Sequence, residues 1–316
     1  ERLILMLKPI PQAEFERLKA MGFKRIPVAA TFLADMETPL TAYLKLAQGA
    51  YSYLFESVQG GEKWGRYSII GLPCAHRLVA RGQSMQEVRG DHLLREWESQ
   101  DPLAEVDAFR EQFTSAPIEG LPVFHGGLVG YFGYDTVRFV EQRLAASVPN
   151  DDIHNPDILL MVSEEVLVFD NLAGTLTLIV NVDVDQENAY ESAIQRLRAL
   201  EAALPQPLEP LPPIRLEPEN ADVIEQCAEF SFSQDRFEAA VDRVKEYVLA
   251  GDVMQVVPSQ RMSLPFSEPP INLYRALRNL NPSPYMYFLD LGDFYIVGSS
   301  PEILARVQDQ EVTVKP

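Results

Sequence analysis

Hydrophobic positions along the chain fall into two rhythms, one of helical spacing and one of strict alternation. In QAEFERLKAMG, Phe15 and Leu18 share one helical face, and Gly22 follows where a left-handed residue can close the turn. Thr38 before Pro39 reads as an N-cap and first helical residue, opening a helix through LTAYLKLA. In YSYLFESV the period drops to two: Tyr51, Tyr53 and Phe55 lie on one face and Leu54 on the other, a strand that breaks at Gly60 and Gly61. RYSIIGL (66–72) is predicted as its partner.

The glycines of GGLVGYFGYD do not have the spacing of a strand-to-helix dinucleotide turn, and mixed with aromatics they fit a strand that another backbone approaches closely. The β-branched stretch ILLMVSEEVLVFDNLAGTLTLIVNVD predicts antiparallel strands, with DNLAG as a hairpin loop between Phe169 and Thr175. Tyr190, Ala193, Ile194, Leu197, Leu200 and Leu204 recur at helical spacing, and five prolines between 205 and 213 then forbid further helix. We therefore read 205–220 as a linker between a region 1–204 and a region 221–316.

Beyond the linker, Ser233 is predicted to cap a helix that buries Phe237, Val241, Val244 and Val248 and stops at Gly251. A helix over INLYRALRNL precedes NPSPYMYF (281–288), where Pro282 and Pro284 fix φ and push Asn281 and Ser283 out of the helical region. YMYFLDL, a turn at Gly292 and Asp293, and FYIVGSS make a hairpin, and Ser300-Pro301-Glu302 has the form of a further helix start. Strands outnumber helices and follow one another in meander order, so the fold class is α+β: large antiparallel sheets with helices packed outside.

Composition narrows the function. The 316 residues carry a formal net charge of −19 without a basic stripe, which excludes a phosphate-neutralising surface. The aliphatic run LILML near the start is too short for a signal-peptide core or a membrane span, and the chain reads as cytoplasmic. Cys74 and Cys227 form no CxxC pair, and His76, His92, His125 and His154 form no metal-ligand pair at helical spacing. HExxH, Walker A and GxSxG signatures do not occur. The chain lacks an initiating Met and stops where Val312 and Val314 alternate in a strand pattern, so we expect a piece of a longer protein.

Four longer motifs, LFESVQGGEKWGRYSIIG, GGLVGYFGYD, GDVMQVVPSQR and NPSPYMYFLDLGDFYIVGSSPEIL, in that order and spacing, resemble the N-terminal part of anthranilate synthase component I, a chorismate-utilising enzyme. The resemblance implies a sandwich of antiparallel sheets between helices. It implies an activity that converts chorismate and ammonia to anthranilate and pyruvate with Mg²⁺, beside a glutamine amidotransferase subunit that delivers the ammonia. On that reading 1–204 is a regulatory region and 221–316 the start of an incomplete chorismate-binding region. The metal and most chorismate ligands are expected past residue 316, so this portion alone is expected to be inactive.

Aminodeoxychorismate synthase shares the scaffold, but its members usually show a QVNLAQR-like turn and an NPAPF-like segment where this chain has QVVPSQR and NPSPYMYF. A non-catalytic module that senses an amino acid is the remaining alternative. The resemblance also implies a feedback site for L-tryptophan, carried by Glu56 and Ser57 and by Asn281, Pro282, Ser283, Pro284, Tyr285 and Met286. Phe55 stands where the family usually has Leu. An amino acid needs acceptors for its ammonium, donors for its carboxylate and an apolar slot for its ring. Glu56 or backbone carbonyls near Pro282 and Pro284 suit the ammonium, Arg66, or secondarily Lys63, suits the carboxylate, and Tyr285 and Met286 suit the ring.

Overall fold

The structure is a computed structural model that describes residues 7–58, 65–148, 150–209, 211–215 and 226–314. Gly60, Gly61 and Lys63, most of LILML, and positions 210 and 216–220 of the expected linker lie outside the described residues. In chain order the first elements are α1 (Gln12–Ala20), β1 (Arg25–Leu33), α2 (Pro39–Leu46), β2 (Ser52–Glu56), β3 (Tyr67–Gly71), β4 (His76–Arg81), β5 (Ser84–Arg89) and β6 (His92–Glu98). Then come α3 (Pro102–Glu111), β7 (Gly127–Phe132), α4 (Val137–Val140), β8 (Ile158–Ser163), β9 (Glu165–Asp170), β10 (Thr175–Asp183) and α5 (Ala189–Ala203). The chain continues through β11 (Glu229–Phe230), α6 (Gln234–Ala250), β12 (Met262–Ser263), α7 (Pro270–Leu280), β13 (Tyr285–Asp290), β14 (Tyr295–Ser300), β15 (Ala305–Gln308) and β16 (Glu311–Val314).

Two compact units divide the chain, one of Glu1–Leu211 with Tyr274–Pro316 and one of Pro212–Leu273. The sequence grouped 221–316 together, whereas the chain rejoins the first unit at Tyr274. The reason is a long-range ladder: β13 pairs with β2, Met286 opposite Glu56 and Tyr287 opposite Phe55.

Within the first unit a seven-stranded sheet has the order β1-β10-β9-β3-β2-β13-β14, and a five-stranded sheet the order β6-β5-β4-β8-β7. Alternation decides what each face meets. In β8, Leu159 and Met161 pack with Tyr53 and Leu289 of the larger sheet, while Ile158, Leu160 and Val162 pack with Phe109 of α3. The outer face of the larger sheet is covered by helices. Phe288 of β13 meets the rings of Tyr43 in α2 and Tyr274 in α7, at 5.6 and 6.0 Å between centroids. The Thr38 side chain accepts from the Thr41 N–H at 3.2 Å, as the Thr-Pro pair predicts for α2.

Gly71 is required by a close approach, since a Cβ there would fall 1.9 Å from Cε1 of the buried Tyr53. Gly130 is required in the same way, because its Cβ would fall 1.8 Å from the Leu159 carbonyl oxygen.

Two local expectations differ from the structure. Ser300-Pro301-Glu302 starts no helix: Ser300 ends β14, its hydroxyl donates to the Glu302 carbonyl at 3.0 Å, and the chain goes on into the β15–β16 hairpin. The hydroxyl that would cap a helix is thereby used as a donor. In the second unit α6 forms between Ser233 and Gly251, but the Ser233 side chain makes no cap hydrogen bond among the described residues, none of the helix's residues is buried, and Val248 is 43% exposed. An apolar stripe is buried only where another element packs on it, and the described residues of that unit add no more than the β11–β12 pair and the start of α7.

Candidate functional site

The ladder between β2 and β13 brings together two motifs that lie far apart in the sequence. The segment before β13 is clamped from both sides. The Val58 N–H donates to the Ser283 carbonyl at 3.1 Å, and the Ser299 hydroxyl donates to the Asn281 carbonyl at 2.8 Å. The Ser283 hydroxyl donates to the Ser300 carbonyl. With φ already set at Pro282 and Pro284, these bonds fix the course of the chain into β13.

Beside this clamp, where the end of the larger sheet faces β7 of the smaller one, lies a cavity of about 740 Å³. Phe55, Ser57, Tyr67, Ile69, Tyr285 and Tyr287 line it from the larger sheet, Gly130 and Tyr131 from β7, and Arg66 and Arg306 supply cations. The volume lies within the roughly 300–1,000 Å³ of small-molecule sites. The wall is aromatic with few polar groups, and one of these is unsatisfied: Ser57 Oγ is buried and has no hydrogen-bond partner among the described residues. A buried hydroxyl left so costs free energy that a ligand atom would recover.

The predicted residues divide into three groups. Ser57, Arg66, Pro284 and Tyr285 border the cavity. Asn281, Pro282 and Ser283 are not in its wall and instead build the clamp, Asn281 exposed and Ser283 buried. Glu56 and Met286 border the cavity, but alternation turns their side chains to the opposite face of the sheet, under α7. Glu56 Oε2 accepts from the Tyr274 hydroxyl at 2.7 Å and from Arg278 Nε at 3.0 Å, and Oε1 accepts from Arg278 Nη2 at 3.1 Å. This carboxylate is already engaged by Tyr274 and Arg278. Burial, then the neighbouring Glu56 charge, pushes the Tyr274 phenol far up, which keeps it a donor.

Arg66 donates from Nε and Nη2 to Asp170 Oδ2 at 2.9 and 2.6 Å, and its guanidinium lies 4.8 Å from the Tyr67 ring centroid. Burial opposes ionisation of Asp170, but the bonds from Arg66 and from the Ala173 and Leu172 N–H groups outweigh it, and its pKa falls below the ordinary 3.8. A lowered carboxylate pKa stabilises the fold above the ordinary value, and that contribution is lost as pH falls through the folded value. Carboxyl NMR titration of the intact protein is expected to give Asp170 a midpoint below 3.8; one at or above it contradicts the pair.

Sequence reasoning missed Tyr67, Gly130, Tyr131, Tyr287 and Arg306. Tyr67 shares a face with Ile69 by period two and was recoverable. Tyr131 reaches the cavity only because the two sheets pack, for which no local pattern speaks.

The comparisons with known proteins agree with this architecture. Residues 52–316 match the family described as chorismate binding enzyme, and the chain belongs to that family. It is 55% identical over 306 residues to anthranilate synthase component 1 of Pseudomonas aeruginosa, covering 96% of this chain and 61% of that protein. It is 46% identical over 310 residues to anthranilate synthase component 1 of Neisseria gonorrhoeae, covering 97% of this chain and 62% of that protein. The crystal structure of anthranilate synthase component I from Streptococcus pneumoniae aligns with a TM-score of 0.61 at 27% identity, over 90% of this chain and 60% of that one. The chain thus spans about three fifths of the length of the relatives it matches.

Among the described residues no helix is long and apolar enough to cross a membrane. No group of three or more His, Cys, Asp or Glu among them is placed to hold a metal ion.

Proposed function

We propose that this chain is the feedback-regulated portion of an anthranilate synthase component I, and that the cavity beside β2 and β13 takes L-tryptophan. In the intact, cytoplasmic protein the activity would be conversion of chorismate and ammonia to anthranilate and pyruvate with Mg²⁺, the ammonia delivered by a glutamine amidotransferase subunit. The observation that carries the reading is the β2–β13 ladder, which sets Ser57 and Tyr285 on one cavity wall.

The chemistry of the wall suits the ligand. Tyr285, Phe55 and Tyr287 offer ring faces and edges for an indole. Arg66, held by Asp170, faces a carboxylate as a guanidinium that stays charged. Ser57 Oγ, lacking a partner among the described residues, is left for one polar end of the ligand. Because the clamp fixes the wall before any ligand arrives, little ordering entropy opposes binding.

Regulation requires that tryptophan bind two arrangements of the protein unequally, and a coupling on the order of 1–3 kcal/mol is typical. Glu56 supplies a route, since it is bonded through the sheet to Tyr274 and Arg278 of α7. Calorimetry of L-tryptophan on the intact protein tests the site: Ser57→Ala is expected to weaken binding by about 1 kcal/mol, roughly fivefold. Equal affinity in both proteins removes Ser57 from the site.

A further inference from the structure

Tyr51, just ahead of β2, has a φ of +64°, in the left-handed region where a bulky side chain is an outlier that persists only if its surroundings hold it. Glycine would take the same backbone without strain. A tyrosine there needs a reason in its side chain, and the ring supplies one. Arg77 Cζ of β4 lies 4.0 Å from the ring centroid, within cation–π range. The phenol end lies against the β13–β14 turn, where a Cβ built on Gly292 would fall 2.9 Å from the Tyr51 hydroxyl oxygen and 3.1 Å from Cζ. The Tyr51 carbonyl accepts from the Cys74 N–H at 2.9 Å. The left-handed backbone thus lets the carbonyl reach Cys74 while the ring reaches Arg77 and Gly292.

These contacts gather where the chain passes between the two sheets. Residues 72–75 cross from β3 of the larger sheet to β4 of the smaller, and Glu164 crosses back between β8 and β9. The Leu72 N–H donates to the Glu165 carbonyl at 3.1 Å, and the buried hydroxyls of Tyr53 and Ser163 bond at 2.7 Å. Ser57, on the cavity wall, follows the last residue of β2, whereas Tyr51 precedes its first, roughly 20 Å away at about 3.3 Å per residue. The cavity walls belong to different sheets, the β13–β14 hairpin on one side and β7 on the other. Tyr51 touches the turn of that hairpin directly and, through Arg77, the sheet that holds β7.

We propose that Tyr51 is a strained latch, a positioning residue that ties the β13–β14 turn to the smaller sheet and thereby fixes the spacing of the two cavity walls. The latch itself rests on these contacts alone. Its effect on a ligand rests on reading the cavity as an amino acid site.

All tests use the intact protein. Urea unfolding reads the strain: Tyr51→Ala is expected to have a lower midpoint than Tyr51→Gly, because both lose the ring and only glycine takes a positive φ freely. The opposite order overturns the strain at this position. Amide hydrogen exchange without ligand reads the latch. Tyr51→Gly is expected to speed exchange in the 291–294 turn and in β4 by about tenfold or more, with the β1–β10 ladder changed less than about twofold. An unchanged turn, or equal acceleration in all three places, overturns the proposal.

Arg77→Met cuts the same link from the other side and is expected to reproduce the acceleration. The double variant is expected to add less than about twofold to either single one, since one cut already frees the turn, and effects that multiply in full contradict the latch. Calorimetry then uses L-tryptophan as the probe. Tyr51→Gly is expected to weaken binding by about threefold or more, because walls no longer held must be ordered by the ligand. Equal affinity in wild type and variant overturns the control of the walls. No binding to wild type refutes the proposed function instead, and the exchange result then decides the latch.

Discussion

Met286→Ala is expected to lower the unfolding free energy by about 2–5 kcal/mol, the range for truncating a buried methionine in a filled core. Met286 is 1% exposed, and it shares the helix-covered face of β13 with Phe288, whose ring meets Tyr43 and Tyr274. The residue stands in a motif that reads as ligand-binding, yet alternation commits its side chain to the layer under α7. Urea unfolding measures the loss. A substitution that leaves the urea midpoint unchanged while abolishing tryptophan binding would mean that Met286 faces the cavity after all.

Arg278→Met is the second large effect, expected to cost about 2–4 kcal/mol. The Glu56 side chain is 2% exposed and accepts from Nε and Nη2 of Arg278 besides the Tyr274 hydroxyl. Removing the guanidinium strands a buried carboxylate with one donor, and the cost is mainly that of the uncompensated charge. Arg278 itself is 40% exposed, which keeps the figure below that of a fully enclosed pair. The double variant Glu56→Gln with Arg278→Met is expected to recover more than half of the loss, since a neutral amide still accepts from Tyr274. If the double variant is no more stable than Arg278→Met, the pair does not act as described.

Much of this was legible in the sequence because short-range rules fixed it. Thr38 and Pro39 start α2, DNLAG turns β9 into β10, and Gly292 turns β13 into β14, each within a few residues of its signal. The family motifs marked both halves of the cavity wall. What period-two reading could not decide was which face of β2 and β13 the cavity would occupy. That depends on where α7 and the smaller sheet pack, and it separates Ser57 and Tyr285 from Glu56 and Met286. Ser300 failed as a cap for a local reason: one hydroxyl serves one geometry, and here it turns the chain toward β15. The stripe on α6 was read correctly as a stripe, while its burial is a property of whatever packs against it.

The proposed function requires that L-tryptophan bind in the cavity beside the β2–β13 ladder. A crystal structure of the intact protein with L-tryptophan soaked to saturation tests that most directly. The indole is expected against Phe55, Tyr285 and Tyr287, with the ligand carboxylate within hydrogen-bonding reach of Arg66 and one polar end on Ser57 Oγ. Tryptophan bound elsewhere on the protein, or no bound tryptophan at saturation, would contradict it.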